Sequence, residues 1–176
     1  METVALIIGI VCIFIDLLVY ISNRRSVILM MKLLSSCVWS VNNFLLGAIT
    51  GGVLMIVAAV RSLIFNFREK YKWADSILWL FVFVIITLVS PILSWQGPIS
   101  LLPAVGSVFA VVSFYVKPVY IIWGAGFISQ VPWLTYHILM GNLMGAIGSG
   151  ITLISVVIGV VREIIKKRKQ KESIVK

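Results

Sequence analysis

Trp39-Ser40-Val41-Asn42-Asn43-Phe44-Leu45-Leu46-Gly47 and Trp133-Leu134-Thr135-Tyr136-His137-Ile138-Leu139-Met140-Gly141 are two versions of one segment, 94 positions apart. A gapless shift of 94 lays residues 11–69 on 105–163 with ten identities in 59 positions. Apolar sequences match by chance, so the number alone says little. The rare types carry the register: Trp39 on Trp133, Gly47 on Gly141, Gly51 on Gly145, and Arg68-Glu69 on Arg162-Glu163. They fall at corresponding places, in mid-run, at a turn and at a charged end. Self-similarity of this kind has to be settled before any element is assigned.

The chain has 176 residues, 61% hydrophobic and 12% charged, with a mean hydropathy of +1.11. Soluble domains run near half apolar and a quarter charged, so the excess must face lipid. A span takes about 20 residues, which leaves no room for an additional soluble domain. Uninterrupted apolar runs occupy about 4–21, 27–46, 49–67, 77–95, 99–116, 119–140 and 144–161. Gly and Pro break some junctions and charges break the others. The runs are continuous rather than alternating with period two, which predicts helices and excludes a barrel. The first has no Lys or Arg before it and no small-x-small site after it, so it reads as a permanent helix rather than a cleaved signal.

Seven spans make the connections alternate between two sides. The side of the N-terminus, with Gly47–Ala48, Gln96–Pro98 and Gly141–Leu143, has no Lys or Arg. The opposite side receives Arg24, Arg25, Arg68, Lys70, Lys72, Lys117 and the tail cations Arg162, Lys166, Lys167, Arg168, Lys169, Lys171 and Lys176. That side is expected to be cytoplasmic, placing the N-terminus outside and the C-terminus inside. The net charge of +9 is then a matter of topology, and no nucleic-acid partner is expected. The tail reads as a continuation of the last helix, serving either as a stop-transfer anchor or as an anionic-lipid contact.

The repeat fixes the expected architecture: an all-α membrane protein with seven transmembrane helices, arranged as two parallel three-helix repeats joined by a linker helix (3+1+3). The units are 1–70, the linker 71–98, the second repeat 99–163 and the basic tail 164–176. An axis along the membrane normal would relate the copies, as in parallel-repeat transporters with sites at the repeat interface.

Leu101-Leu102-Pro103-Ala104-Val105-Gly106-Ser107, Trp133-x-x-x-His137-x-x-x-Gly141 and the basic stop after the third helix of each copy resemble motifs of the YgjV family of bacterial inner-membrane proteins. The resemblance covers most of the chain and implies a small multi-span protein of the bacterial inner (plasma) membrane; it supplies no biochemical role. The 3+1+3 pattern is also similar to the SWEET/PQ-loop group and to PnuC-type transporters. The sequence departs from the first in having no Pro-Gln dipeptide. Pro103 sits where a hinge proline would, but Gly9 occupies the matching place in the first copy.

Two groups of residues are candidates for function. Trp39, Asn43 and Gly47 share one helical face by their spacing of four, as do Trp133, His137 and Gly141. Facing each other, they would form two aromatic plates with an amide and an imidazole between, suited to a small polar or ring-bearing solute. Tyr136, Asn42 and Asn142 add polarity. The alternative is packing for the indoles and a helix-to-helix hydrogen bond for His137. The second group is Asp16, Lys32 and Arg61, each roughly 9–10 Å inside the cytoplasmic boundary at about 1.5 Å per residue. Their equivalents are Ala110, Gly126 and Ser155. Lys and Arg can snorkel from that depth; Asp cannot, so Asp16 should be paired or protonated. It forms either a structural ion pair with Lys32 or Arg61, or part of a gate or anion site.

Cys12 and Cys37 lie 25 positions apart without metal or redox spacing, the lone His cannot build a metal site, and the glycines read as packing. No cofactor and no enzyme chemistry are expected. The sequence reads as a transporter or facilitator of a small polar metabolite in contact with membrane lipids. The alternative is a non-transporting, stress-linked or accessory interaction protein, and self-association into a homo-oligomer stays open.

Overall fold

The computed structural model describes residues 2–22, 24–116 and 119–175, and no strand occurs among them. Seven α-helices follow in order: α1 Glu2–Ile21, α2 Arg25–Leu45, α3 Ile49–Asn66, α4 Leu78–Leu93, α5 Leu101–Tyr115, α6 Val119–Leu139 and α7 Leu143–Val175. Single 3-10 turns at Phe67–Glu69 and Pro98–Ser100 follow α3 and lead into α5. Each helix covers one expected apolar run to within about two residues at its start. A helix satisfies its backbone within the segment, which an apolar surround demands. α7 runs on through the basic tail. Lys117 and the side chains of Arg162 and of the cations beyond it lie outside the described residues.

Arg25–Leu45, Ile49–Glu69 and Pro98–Tyr115 are long and apolar enough to cross a membrane, and Thr3–Val19, Leu78–Leu93 and Leu143–Ile158 are shorter apolar helices. Their outer faces carry large aliphatic and aromatic side chains, such as Phe14 and Leu18 on α1 and Phe81, Ile85, Leu88 and Ile92 on α4. Such a surface is far larger than the apolar patches soluble monomers leave in water.

The helix neighbours form a closed ring: α1 packs on α2, α2 on α3, α3 on α5, α5 on α6, α6 on α7, and α7 back on α1. α4 sits outside it, against α3 and α5. Exchanging α1, α2, α3 for α5, α6, α7 leaves these ring neighbours unchanged. The turns agree in detail. Gly47 and Gly141 adopt φ of +71° and +68°, a region that costs other residues a Cβ clash. Around Gly47 the amides of Leu46, Gly47, Ala48, Ile49 and Gly52 donate to the carbonyls of Asn42, Phe44, Asn43, Gly47 and Ala48. Every one of these bonds recurs 94 residues later, from Met140, Gly141, Asn142, Leu143 and Ala146.

Arginines tie the helix ends opposite these turns. Arg25 donates to the carbonyl oxygens of Phe65 (3.1 Å) and Phe114 (3.0 Å), near the C-terminal ends of α3 and α5. Arg68 donates to the carbonyl of Tyr115, lies 3.8 Å over its ring and pairs with Asp75 at 2.7 Å. Cations on exposed C-terminal carbonyls satisfy orphan acceptors and oppose the helix dipole. Basic residues that read as topology signals therefore also fasten neighbouring helices.

Candidate intramembrane polar site

A cavity of about 70 Å³ lies inside the ring, and all six ring helices contribute to its wall. At roughly 30 Å³ of liquid volume per water, it has space for about two waters or a solute of a few heavy atoms. Asp16 enters from α1, Lys32, Ser35 and Trp39 from α2, and Arg61 from α3. Across from them stand Ala110 and Phe114 of α5, Ser129, Trp133 and His137 of α6, and Ser149 and Thr152 of α7.

Asp16 is buried and saturated. Its Oδ1 accepts from Lys32 Nζ at 2.8 Å and from Ser35 Oγ at 2.7 Å, and its Oδ2 accepts from Trp39 Nε1 at 2.7 Å. The three donors sit on α2 at 32, 35 and 39, spacings of three and four that align them on one face. A buried carboxylate is tolerable only with such company. Of the two cations the sequence offered it, Asp16 takes Lys32.

Arg61 makes no such pair. It is 4% exposed, its Nε has no hydrogen-bond partner, and among the described residues it forms no ion pair. Its guanidinium stands 5.2 Å from the centre of the Phe114 ring. A cation over an aromatic face gains some attraction but keeps most of its five donors unused.

The expected aromatic plates are present, and the space between them is filled. The His137 ring lies 5.9 Å from that of Trp39, tilted by 31°, and 5.5 Å from that of Trp133, tilted by 30°. Small residues permit this. A Cβ at Gly145 would fall 2.4 Å from His137 Nδ1, and one at Gly148 2.9 Å from Trp39. The imidazole thus stands close to both indoles, whereas the Asn43 amide does not line the cavity.

Asn43, Tyr136 and Asn142 lie away from the cavity wall and serve the backbone. Asn43 Nδ2 donates to the Trp39 carbonyl at 2.8 Å, and Tyr136 Oη accepts from the amide of Gly51 at 3.3 Å. Asn142 Oδ1 accepts from the amide of Gly145 at 2.8 Å, capping α7, while its Nδ2 donates to Asn42. Sequence reasoning passed over the hydroxyls of Ser35, Ser129, Ser149 and Thr152. The match of Ser35 with Ser129 in the repeat was the signal available for two of them. Among the described residues no group of three His, Cys, Asp or Glu side chains could hold a metal ion. Cys12 is buried and Cys37 exposed, both free thiols.

A family model described as a bacterial inner membrane protein, Imp-YgjV, matches residues 3–167, and the chain belongs to that family. No curated protein and no solved structure gave a match.

Proposed function

We propose that this inner-membrane protein is a carrier or facilitator of a small polar solute, held between two parallel three-helix units. In this reading all seven helices span the membrane, α4 is the linker, and the N-terminus is outside with the C-terminus cytoplasmic. Alternating access comes from the units rocking about the central cavity. The carrying observation is the polar cavity itself. Six helices each direct a polar or small side chain into one shared space, where ionisable groups are costly to keep. The exchange of neighbours around the ring and the matching turns at Gly47 and Gly141 support the two-unit reading.

A second reading draws on the cavity volume: about 70 Å³ suits a rigid polar core in a non-transporting interaction or accessory protein. Solute uptake separates the two. Purified protein in liposomes is assayed with labelled sugars, nucleosides, vitamin precursors and organic anions. The carrier reading expects uptake of one class, at least tenfold reduced by Trp39→Ala or Trp133→Ala. Liposomes impermeable to every class would favour the interaction protein.

A further inference from the structure

We propose that the second half of the cavity is a docking cradle for the carboxylate of a small anionic solute, with Arg61 as its counter-charge. The inference rests on reading the cavity as a solute site and adds the charge class of the solute.

The first half displays the recognition pattern with its ligand built in. The indole N–H of Trp39, the hydroxyl of Ser35 and the ammonium of Lys32 converge on the Asp16 carboxylate at 2.7–2.8 Å. The shift of 94 carries Trp39 to Trp133 and Ser35 to Ser129, so both neutral donors are repeated. It carries Asp16 to Ala110 and Lys32 to Gly126, so the charged pair is replaced by the two smallest side chains. Trp133, Ser129, Ala110 and Gly126 all line the cavity. Trp133 Nε1 and Ser129 Oγ donate to no protein group among the described residues. Trp133 presents its pyrrole edge to Gly106, one turn from Ala110 on the same helix. Trp39 turns its indole N–H one helical turn further along, to Asp16, the counterpart of Ala110.

Electrostatics sets the sign. Two cations and one carboxylate line the cavity, and the carboxylate is consumed by its three donors. The net charge left is positive and resides on Arg61. A planar guanidinium fork offers two parallel N–H bonds to a carboxylate, and a buried cation without a counter-ion is costly. An exogenous carboxylate on Arg61, Trp133 and Ser129 would reproduce what Asp16 receives from Lys32, Trp39 and Ser35. The volume limits the solute to a few heavy atoms, such as formate or acetate.

Thermal unfolding of the purified protein in detergent, with sodium acetate or formate as probe, tests this against equimolar acetamide and sodium chloride. The carboxylates should raise Tm saturably, by about 3–6 °C at ten times their dissociation constant, and the controls should not. Ala110→Asp supplies the carboxylate covalently; it should raise Tm without ligand and abolish the acetate response. Arg61→Gln should also lose the response. A wild-type protein that responds to acetate no more than to chloride, or an Ala110→Asp protein that still responds, overturns the cradle. Liposome uptake is scored separately. Carboxylate binding without uptake keeps the cradle and removes the carrier, whereas uptake of a neutral solute with no carboxylate response does the reverse.

Discussion

Residues 16 and 110 occupy corresponding places in the two halves of the ring, one an aspartate and the other an alanine. Around Asp16 every donor is engaged: lysine, serine and indole close on one carboxylate within 2.7–2.8 Å. Around Ala110 the corresponding serine and indole donate to no protein group among the described residues, and Arg61 of α3 lines the same cavity. The difference teaches that the same pair of residue types, serine and tryptophan at corresponding positions, is locked by hydrogen bonds only where a carboxylate is within reach.

The comparison breaks most directly at Asp16. Asp16→Ala copies the second half into the first and strips three buried donors of their acceptor. Removing one partner of a buried pair costs about 3–5 kcal/mol, which for a chain of this size lowers Tm by the order of 10 °C. Adding Lys32→Met, which removes the charge and keeps the volume, should recover part of that loss. A single variant costing under about 1 kcal/mol by denaturation would show that Asp16 does not organise its half.

A smaller effect compares the glycines that make room for the polar residue one turn beyond each tryptophan. A Cβ at Gly145 would lie 2.4 Å from the His137 ring, which the two indoles hold in place; at Gly51 it would lie 2.9 Å from Asn43 Oδ1 and 3.0 Å from Tyr136. Overpacking costs about 1–3 kcal/mol. Gly145→Ala is expected at the upper end and Gly51→Ala at the lower, read as Tm differences. The reverse order would mean that His137 leaves its slot more easily than Asn43 turns aside.

The least effect, and the one that most sharpens the likeness, belongs to Gly47 and Gly141. Nothing lies within 4 Å of a Cβ at either, and both sit near φ +70°. Alanine should therefore cost only the left-handed backbone term, about 1–2 kcal/mol, and equally at the two sites. Unequal losses in chemical denaturation would show turns that differ despite their shared hydrogen bonds.

Helix positions were readable in the sequence because an apolar surround leaves one solution for long Ile/Leu/Val runs such as 77–95, and Gly47 and Gly141 marked their turns by type alone. The company of Asp16 was half readable: its depth required a partner, but whether Lys32 or Arg61 supplied it depends on how α3 is rotated against α2. The repeat placed an amide and an imidazole between the tryptophans; the ring near both is that of His137, while Asn43 bonds the Trp39 carbonyl of its own helix. Gly145 and Gly148 bring α7 close enough for His137 to be held between the indoles, a distance no single-helix pattern contains. Asn43, Tyr136 and Asn142 have the polarity of site residues, but Asn43 bonds a carbonyl of its own helix, Tyr136 the amide of Gly51, and Asn142 the amide of Gly145 and the side chain of Asn42.

The ring of six helices also has mechanical consequences. The first three helices meet the last three at two places, α3 against α5 and α7 against α1. The first is strapped by α4, which packs on both sides of it, and by Arg25, which reaches the carbonyls of Phe65 and Phe114 on either side. The second is held by the packing of α1 on α7, with no helix laid across it among those described. The seam between α3 and α5 thus carries an outer brace and a cationic tie, whereas the seam between α7 and α1 rests on direct helix packing.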